Sequence, residues 1–338
     1  VNHLFLPEAD PVGVSLRGFA RAHPELVALH EDPLFVTATD TDPARRVGLL
    51  SGGGSGHEPM HAGFVGRGLL DAAVPGRIFA SPHNRQVYEA SRAVARAEGV
   101  LHIVKNYTGD RINFGIAAER LRADGIAVRR VLVDDDLATE SDLTATGRRG
   151  TGATVIVEKL LGGAADTGLG IAELATLGEE FARSSRSVAV AGRAQTSPSL
   201  GGEVFALGDR EIEYGVGIHG ERAAATITRP PFGHLVERMT AQVLDGLPGT
   251  GDGVILLVNG LGATTLLELY AVHEQVSEVL ARRGVPVAGQ LVGTHVPALD
   301  MSGFSLTMTA VRTGWLAWWR APARTPAFPH PHSQELNG

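Results

Sequence analysis

Three short segments of this chain bring together residue types that could act on a small polar substrate. Ser51-Gly52-Gly53-Gly54-Ser55-Gly56-His57-Glu58-Pro59 follows the apolar run ending at Leu50. Three consecutive glycines let backbone N–H groups approach a ligand closely, whereas a plain tight turn needs one or two. This segment is expected to end a strand and lead into a helix, at the carboxyl edge where open α/β sheets bind ligands. Lys105-Asn106-Tyr107-Thr108-Gly109-Asp110 closes a second apolar run and brings a cation and a carboxylate to the same edge. Asp110 could act as a general base toward a hydroxyl, or cap a helix starting near Asn113, and local sequence leaves the two open. In Gly215-Val216-Gly217-Ile218-His219-Gly220-Glu221 a histidine stands among glycines. A neutral imidazole is a competent nucleophile near pH 7 and could add to a ketone, although on the string alone an exposed turn histidine is the favoured reading.

Other motif readings of the first segment fail. No Gly-Lys-Ser/Thr follows the glycines, so it is not a Walker A loop. The nucleophile elbow Gly-x-Ser-x-Gly needs glycine where His57 stands. His57-Glu58-Pro59-Met60-His61 fits the string H-E-x-x-H, but a metal site requires both histidines on one helical face. Pro59 disfavours helix at Glu58, which leaves His57 ahead of the expected helix and His61 inside it. No metal site is therefore expected. Asp134-Asp135-Asp136 reads as a solvated turn, His273 as a packing residue, and His330 and His332 belong to a polar tail.

These loops need a scaffold. RVGLL, LHIVKN (101–106) and VRRVLVDDD (128–136) read as strands. Arg85 to Ala97, Asn113 to Ala123, Thr154 to Ala165 and Ile171 to Arg183 read as helices, and such alternation predicts a parallel sheet covered on both faces. After residue 186 the pattern changes. SVAVAG (187–192), DGVILLVNG (252–260), PVAGQLVG, FSLTMTAV and LAWWRAP read as strands. Thr264 to Arg282 reads as a helix with Leu266, Leu269, Tyr270, His273, Val276 and Leu280 on one face. The expected architecture is a parallel-sheet α/β domain over residues 1–186 and a mixed α+β domain over 187–338.

Composition narrows the function classes. The chain has 338 residues, a formal net charge of −7, 43% hydrophobic residues and no cysteine. Without a basic tract nucleic acid is not an expected partner, and without cysteine neither disulfides nor thiolate metal sites can form. No apolar run approaches membrane-spanning length and the start lacks a signal-peptide pattern, so no membrane partner and a cytoplasmic location are expected.

SGGGSGHEPMHAGFVGRG, IFASP, IVKNYTGDRINF, DDD, TGRRG, YGVGIHGE, LVNGLGAT and MSGFSLT occur in this order between residues 51 and 307. Together they resemble the substrate-binding subunit of the dihydroxyacetone kinases, a likeness running from about residue 15 to 325. The resemblance implies that His219 forms a hemiaminal with the ketose C2, that Asp110 is the base at the hydroxyl to be phosphorylated, and that His57 hydrogen-bonds the substrate. It also places Gly54, Ser55, Gly56 and Lys105 on the substrate side. It implies a homodimer that binds no cofactor itself, with nucleotide and Mg on a partner kinase subunit. Arg193-Ala194-Gln195-Thr196-Ser197-Pro198 departs from the Cys-Thr-Val-Pro-like string of that family, and the residues after Glu221 lack its Pro-Gly. Both departures bear on which sugar is bound, so a tetrulose such as erythrulose stays open as substrate. A regulatory paralogue that senses ketose is the other alternative, though it would be expected to lack His219 or Asp110.

Overall fold

Residues alternate between two apolar faces along the central strands, and that alternation sets the layers of the molecule. The computed structural model describes residues 4–139, 147–198, 201–221 and 225–328. His330, His332 and residues 222–224 after Glu221 lie outside the described residues. The first half contains α1 (Pro11–Ala22), β1 (Val27–Glu31), β2 (Leu34–Ala38), β3 (Gly48–Ser55), β4 (Ala72–Ile78), α2 (Asn84–Val94), β5 (Val100–Lys105), α3 (Thr108–Ala123), β6 (Val128–Val133), α4 (Ala153–Ala165) and α5 (Ile171–Arg183). Its six-stranded sheet has the order β1-β2-β4-β3-β5-β6. The four strands from β4 to β6 are parallel, and a hairpin of β1 and β2 adds an antiparallel edge. Leu50, Val100 and Val104 face α2 and α3, while Leu49, Leu101 and Ile103 face the side of α4 and α5. Both faces are covered, as the apolar runs require.

The second half contains β7 (Ser185–Arg193), β8 (Glu211–Tyr214), β9 (Ala225–Thr228), α6 (Phe232–Gly246), β10 (Val254–Gly260), α7 (Leu266–Arg282), β11 (Val287–Gly293), β12 (Ser302–Ala310) and α8 (Thr313–Arg320). Its sheet runs β11-β10-β12-β7-β8-β9, antiparallel except for the β10–β11 pair. Leu256 and Val258 pack on α6 and α7, whereas Ile255 and Leu257 point the other way and join the core around α4. All thirteen residues of α4 are buried, so apolar residues occupy every face of it and its polar Thr154, Glu158 and Lys159 are enclosed with them. Sheet membership changes at Ser185, yet one core continues from α1 through α4 to Trp315 and Phe328. Among the described residues no helix is long and apolar enough to cross a membrane.

Four expectations need correction. LAWWRAP is not a strand: Trp315, Trp318 and Trp319 fall at i, i+3 and i+4, and Trp315 packs edge-on to Phe181 at 4.6 Å, so the segment gains its burial as α8. On α7 the buried face is Leu269, Val272, Val276, Val279 and Leu280, while Leu266 and Tyr270 are exposed. The acidic run is not solvated. Asp135 accepts from Thr151 N (2.7 Å), Thr151 Oγ1 (2.8 Å) and Ala153 N (3.1 Å) at the start of α4, and Asp136 pairs with Arg149 at 2.6 Å. Burial raises Asp136 to about 6 against the pull of Arg149. Finally, Gly52, Gly53 and Gly54 are not a loop before a helix but the last part of β3, followed by turns and one short helical turn at Ala62–Phe64.

Candidate active site

The carboxyl ends of β3 and β5 bring the first two candidate segments together, and the loop after β8 delivers the third. The glycines of β3 are required by packing. A Cβ at Gly52 would collide with Val74 O, at Gly53 with Lys105 Nζ, and at Gly54 with the backbone at Phe79 and Ala80. The bare strand thus lets the Lys105 amino group and the 79–80 turn close over it.

His57 is fully buried just beyond β3. Its Nδ1 lies 2.8 Å from Pro297 O, and a carbonyl can only accept, so Nδ1 carries the proton and Nε2 is the basic nitrogen. That Nε2 has no partner. Burial, reinforced by the charges of His219 and Lys105, holds the ring's pKa well below 6.5, so it is neutral.

His219 enters from the other half, with ring centroids 4.8 Å from His57, 4.5 Å from Tyr107 and 5.7 Å from Phe79. Its Nδ1 lies 3.2 Å from Glu221 Oε1, and Glu221 Oε2 accepts from the His219 backbone N at 3.0 Å. Burial works against the Glu221 charge, but the hydrogen bond and charge of His219 together with Arg149 bring it down to about 2. An ionised carboxylate accepts only, so His219 also holds its proton on Nδ1 and presents Nε2. Two imidazoles from opposite halves therefore present basic nitrogens within one small, aromatic-walled space.

Asp110 is not the N-cap. The helix α3 begins at Thr108 with Tyr107 as N-cap residue, which puts Asp110 in the first turn, buried, with Oδ1 unpartnered. The Tyr107 hydroxyl is likewise buried without a partner, and burial, aided by the nearby Glu221 charge, pushes it well above 10. Buried polar atoms are normally paired, so unpartnered atoms on His57 and Tyr107, whose rings flank His219, and on Asp110, whose charge acts on Lys105, point to a place built for a polar ligand. Lys105 completes the group. It is fully buried, and burial lowers its pKa against the charges of Asp110, Glu158 and Glu58.

Ser55 donates to Gly76 O (2.8 Å), and Gly56, next to His57, packs against Phe79. Both residues also line an apolar groove of about 560 Å³ under α1 whose lining does not include His57, Asp110 or His219. His61 is committed as well, with Nδ1 2.6 Å from Glu158 Oε1 and Nε2 2.8 Å from Lys105 Nζ. The two histidines of the H-E-x-x-H string thus point their nitrogens at different protein groups. Sequence reasoning gave no role to Tyr107, Glu221, Glu158 or Gln195. Gln195 belongs to the departing string: it is buried against Gly220, where a Cβ would collide with its amide, so that string does pack beside His219.

The family model of the Dak1 domain matches residues 17–327. This chain belongs to the Dak1-domain family. It is 42% identical to the PEP-dependent dihydroxyacetone kinase, dihydroxyacetone-binding subunit DhaK of Escherichia coli, over 94% of this chain and 96% of that one. It is 39% identical to the triokinase/FMN cyclase of Mus musculus, of which it spans 57%. Among solved structures, the dihydroxyacetone kinase of C. freundii superposes with a TM-score of 0.86 at 32% identity, covering 98% of this chain and 61% of that chain. The dihydroxyacetone kinase operon co-activator DhaQ superposes equally well, with a TM-score of 0.86 and 32% identity over 94% and 98% of the two chains. The Dak1 likeness therefore spans kinase subunits and a co-activator on one fold.

Proposed function

We propose that this Dak1 chain is the dihydroxyacetone-binding subunit of a dihydroxyacetone kinase, which tethers the ketose to His219 and presents a terminal hydroxyl to a partner subunit carrying the phosphoryl donor. The observation that carries the reading is that the His219 ring lies 4.8 Å from the ring of His57, whose buried Nε2 has no partner, with Asp110 Oδ1 buried and unpartnered as well. In the tethering step Nε2 bonds to C2 and the carbonyl π bond breaks. The oxygen takes up a proton, and the imidazole gives up its Nδ1 proton on the Glu221 side, so the adduct is a neutral hemiaminal. His57 Nε2 accepts a hydrogen bond from a substrate hydroxyl. Asp110 takes the proton from the hydroxyl that attacks the phosphoryl group. A ligand of so few atoms gains limited affinity from contacts alone, so a covalent tether adds affinity, rejects glycerol and fixes the nucleophile in line. Retention of both His219 and Asp110 favours a catalytic subunit over a co-activator.

The test is a crystal soak with dihydroxyacetone, and in parallel with erythrulose, supported by intact-protein mass after borohydride treatment. Continuous density from His219 Nε2 to C2, absent in His219→Ala, is the expected result. Clear ketose density without that bond would rule out the tether.

A further inference from the structure

Behind Lys105 a line of buried contacts leads away from the site into the centre of the molecule. Lys105 Nζ is 2.8 Å from His61 Nε2, and His61 Nδ1 is 2.6 Å from Glu158 Oε1. Lys105 and Glu158 are both 0% exposed, and Glu158 projects from the wholly buried α4 with Oε2 unpartnered. Ser51 Oγ lies 3.0 Å from the same His61 Nδ1 while donating to Ile103 O at 2.9 Å.

A neutral imidazole between an amine and a carboxyl allows two proton arrangements with the same total charge. In one, the Lys105 ammonium donates to Nε2 and Nδ1–H donates to the Glu158 carboxylate. In the other, Glu158 is a carboxylic acid donating to Nδ1, and Nε2–H donates to the neutral amine. Burial of a carboxylate with one bare oxygen favours the second arrangement. Ser51, which can only accept from Nδ1 while it donates to Ile103, favours the first. Asp110 on α3, with Glu58 and His57 after β3, are the other titratable groups facing Lys105; those facing Glu158 are His61 and Lys105. Burial raises Glu158 to about 8 and lowers Lys105, in keeping with a proton on the carboxyl near neutral pH.

We propose that Glu158, His61 and Lys105 form a sealed proton relay, in which the proton rests on Glu158 in the empty site and passes through His61 to Lys105 when a ligand places negative charge beside Lys105. The Glu158 O–H bond breaks as Nδ1–H forms, and Nε2–H breaks as a third Nζ–H forms. The imidazole is neutral before and after, and no proton is exchanged with solvent. His61 and Glu158 are thus positioning residues, and Lys105 is the group that meets the charge. The trigger rests on the ketose-kinase reading, because phosphoryl transfer is what delivers negative charge there; the resting proton does not depend on it.

Infrared difference spectra of the full chain near neutral pH, with and without dihydroxyacetone phosphate, test the relay, and calorimetry reports binding. The expected result is a protonated-carboxyl band in the empty wild type that is absent from Glu158→Gln. The band is lost when the phosphate ester binds and kept when neutral dihydroxyacetone binds. Should Glu158→Gln not fold, ¹³C-labelled glutamate identifies the band as a glutamate's, and its persistence in Glu58→Gln separates Glu158 from the other glutamate that burial raises. A wild type without the band, or with the band intact in the ester complex, overturns the relay. If the ester does not bind, the ketose-kinase reading fails, and the relay stands or falls on the resting band.

Discussion

Two buried polar clusters lie at opposite ends of the first sheet's central strands, and they are built on opposite terms. Arg45 is completely enclosed and completely paired: it reaches Asp71 Oδ2 (2.8 Å), Asp166 Oδ1 (2.7 Å), Leu69 O (2.9 Å) and Gly162 O (3.1 Å). Asp71 in turn accepts from Leu49 N and Arg96. In the cluster of His57, Tyr107, Asp110 and His219 the first and third residues are buried and the other two half-buried, yet a buried ring nitrogen, hydroxyl and carboxylate oxygen are left without partners. Burial of a charge is tolerable when protein groups complete its hydrogen bonds, so the first cluster ties α4 to the sheet. The second tolerates incompleteness because a ligand is meant to complete it. Orphaned atoms alone do not identify a site, however. His102 Nδ1 is also unpartnered and buried, but its ring packs edge-on to Phe114 between β5 and α3.

Substitution in each place separates these cases. The largest effect is expected from Asp110→Asn, which should lower phosphoryl transfer in the complete kinase by about 10²–10⁴-fold while leaving urea stability unchanged or improved. A parallel loss of stability would assign Asp110 to the structural class. Arg45→Met should do the reverse. It leaves Asp71 with only Arg96 and Leu49 N and takes the guanidinium away from Asp166, and should cost about 3–5 kcal/mol of unfolding free energy. A variant as stable as wild type would show that the paired cluster contributes nothing net.

The smallest effect is expected at His102, which burial keeps neutral down to about 3 against an ordinary 6.5. As pH falls below 6.5 the unfolded chain takes up a proton that the folded chain refuses. The stability it contributes is therefore full above 6.5 and drains as pH falls toward 3. His102→Leu should flatten the stability–pH curve over that window, measured by urea unfolding at several pH values. An unchanged slope would assign acid sensitivity to the site histidines instead.

Much of this protein was legible in the chain itself. Strands β5, β6 and β10 and helices α4 and α5 stand close to where apolar runs and helical spacing put them, because local periodicity records which faces are buried. The three candidate segments were visible because glycine, histidine, lysine and aspartate at strand ends are unusual where packing alone governs choice. Less was visible where burial comes from distant residues. The β1–β2 hairpin and β4 went unread, Trp318 and Trp319 looked like strand residues until Phe181 and Phe328 were there to receive them, and Asp135 looked solvated until Thr151 turned toward it.

The sequence by itself determined which groups are available: two imidazoles, a carboxylate, an amine and bare backbone at strand ends. Only the tertiary structure decided how they act. Pro297, 240 residues from His57, and Glu221, beside His219, orient the two rings, and the approach of the second half brings those rings to 4.8 Å. Glu158, 97 residues from His61, turns the second histidine of a metal-like string into the middle of a hydrogen-bonded chain. Proton position and group strength depend on what surrounds a residue in space, and that is a property of the packed fold rather than of neighbours in sequence.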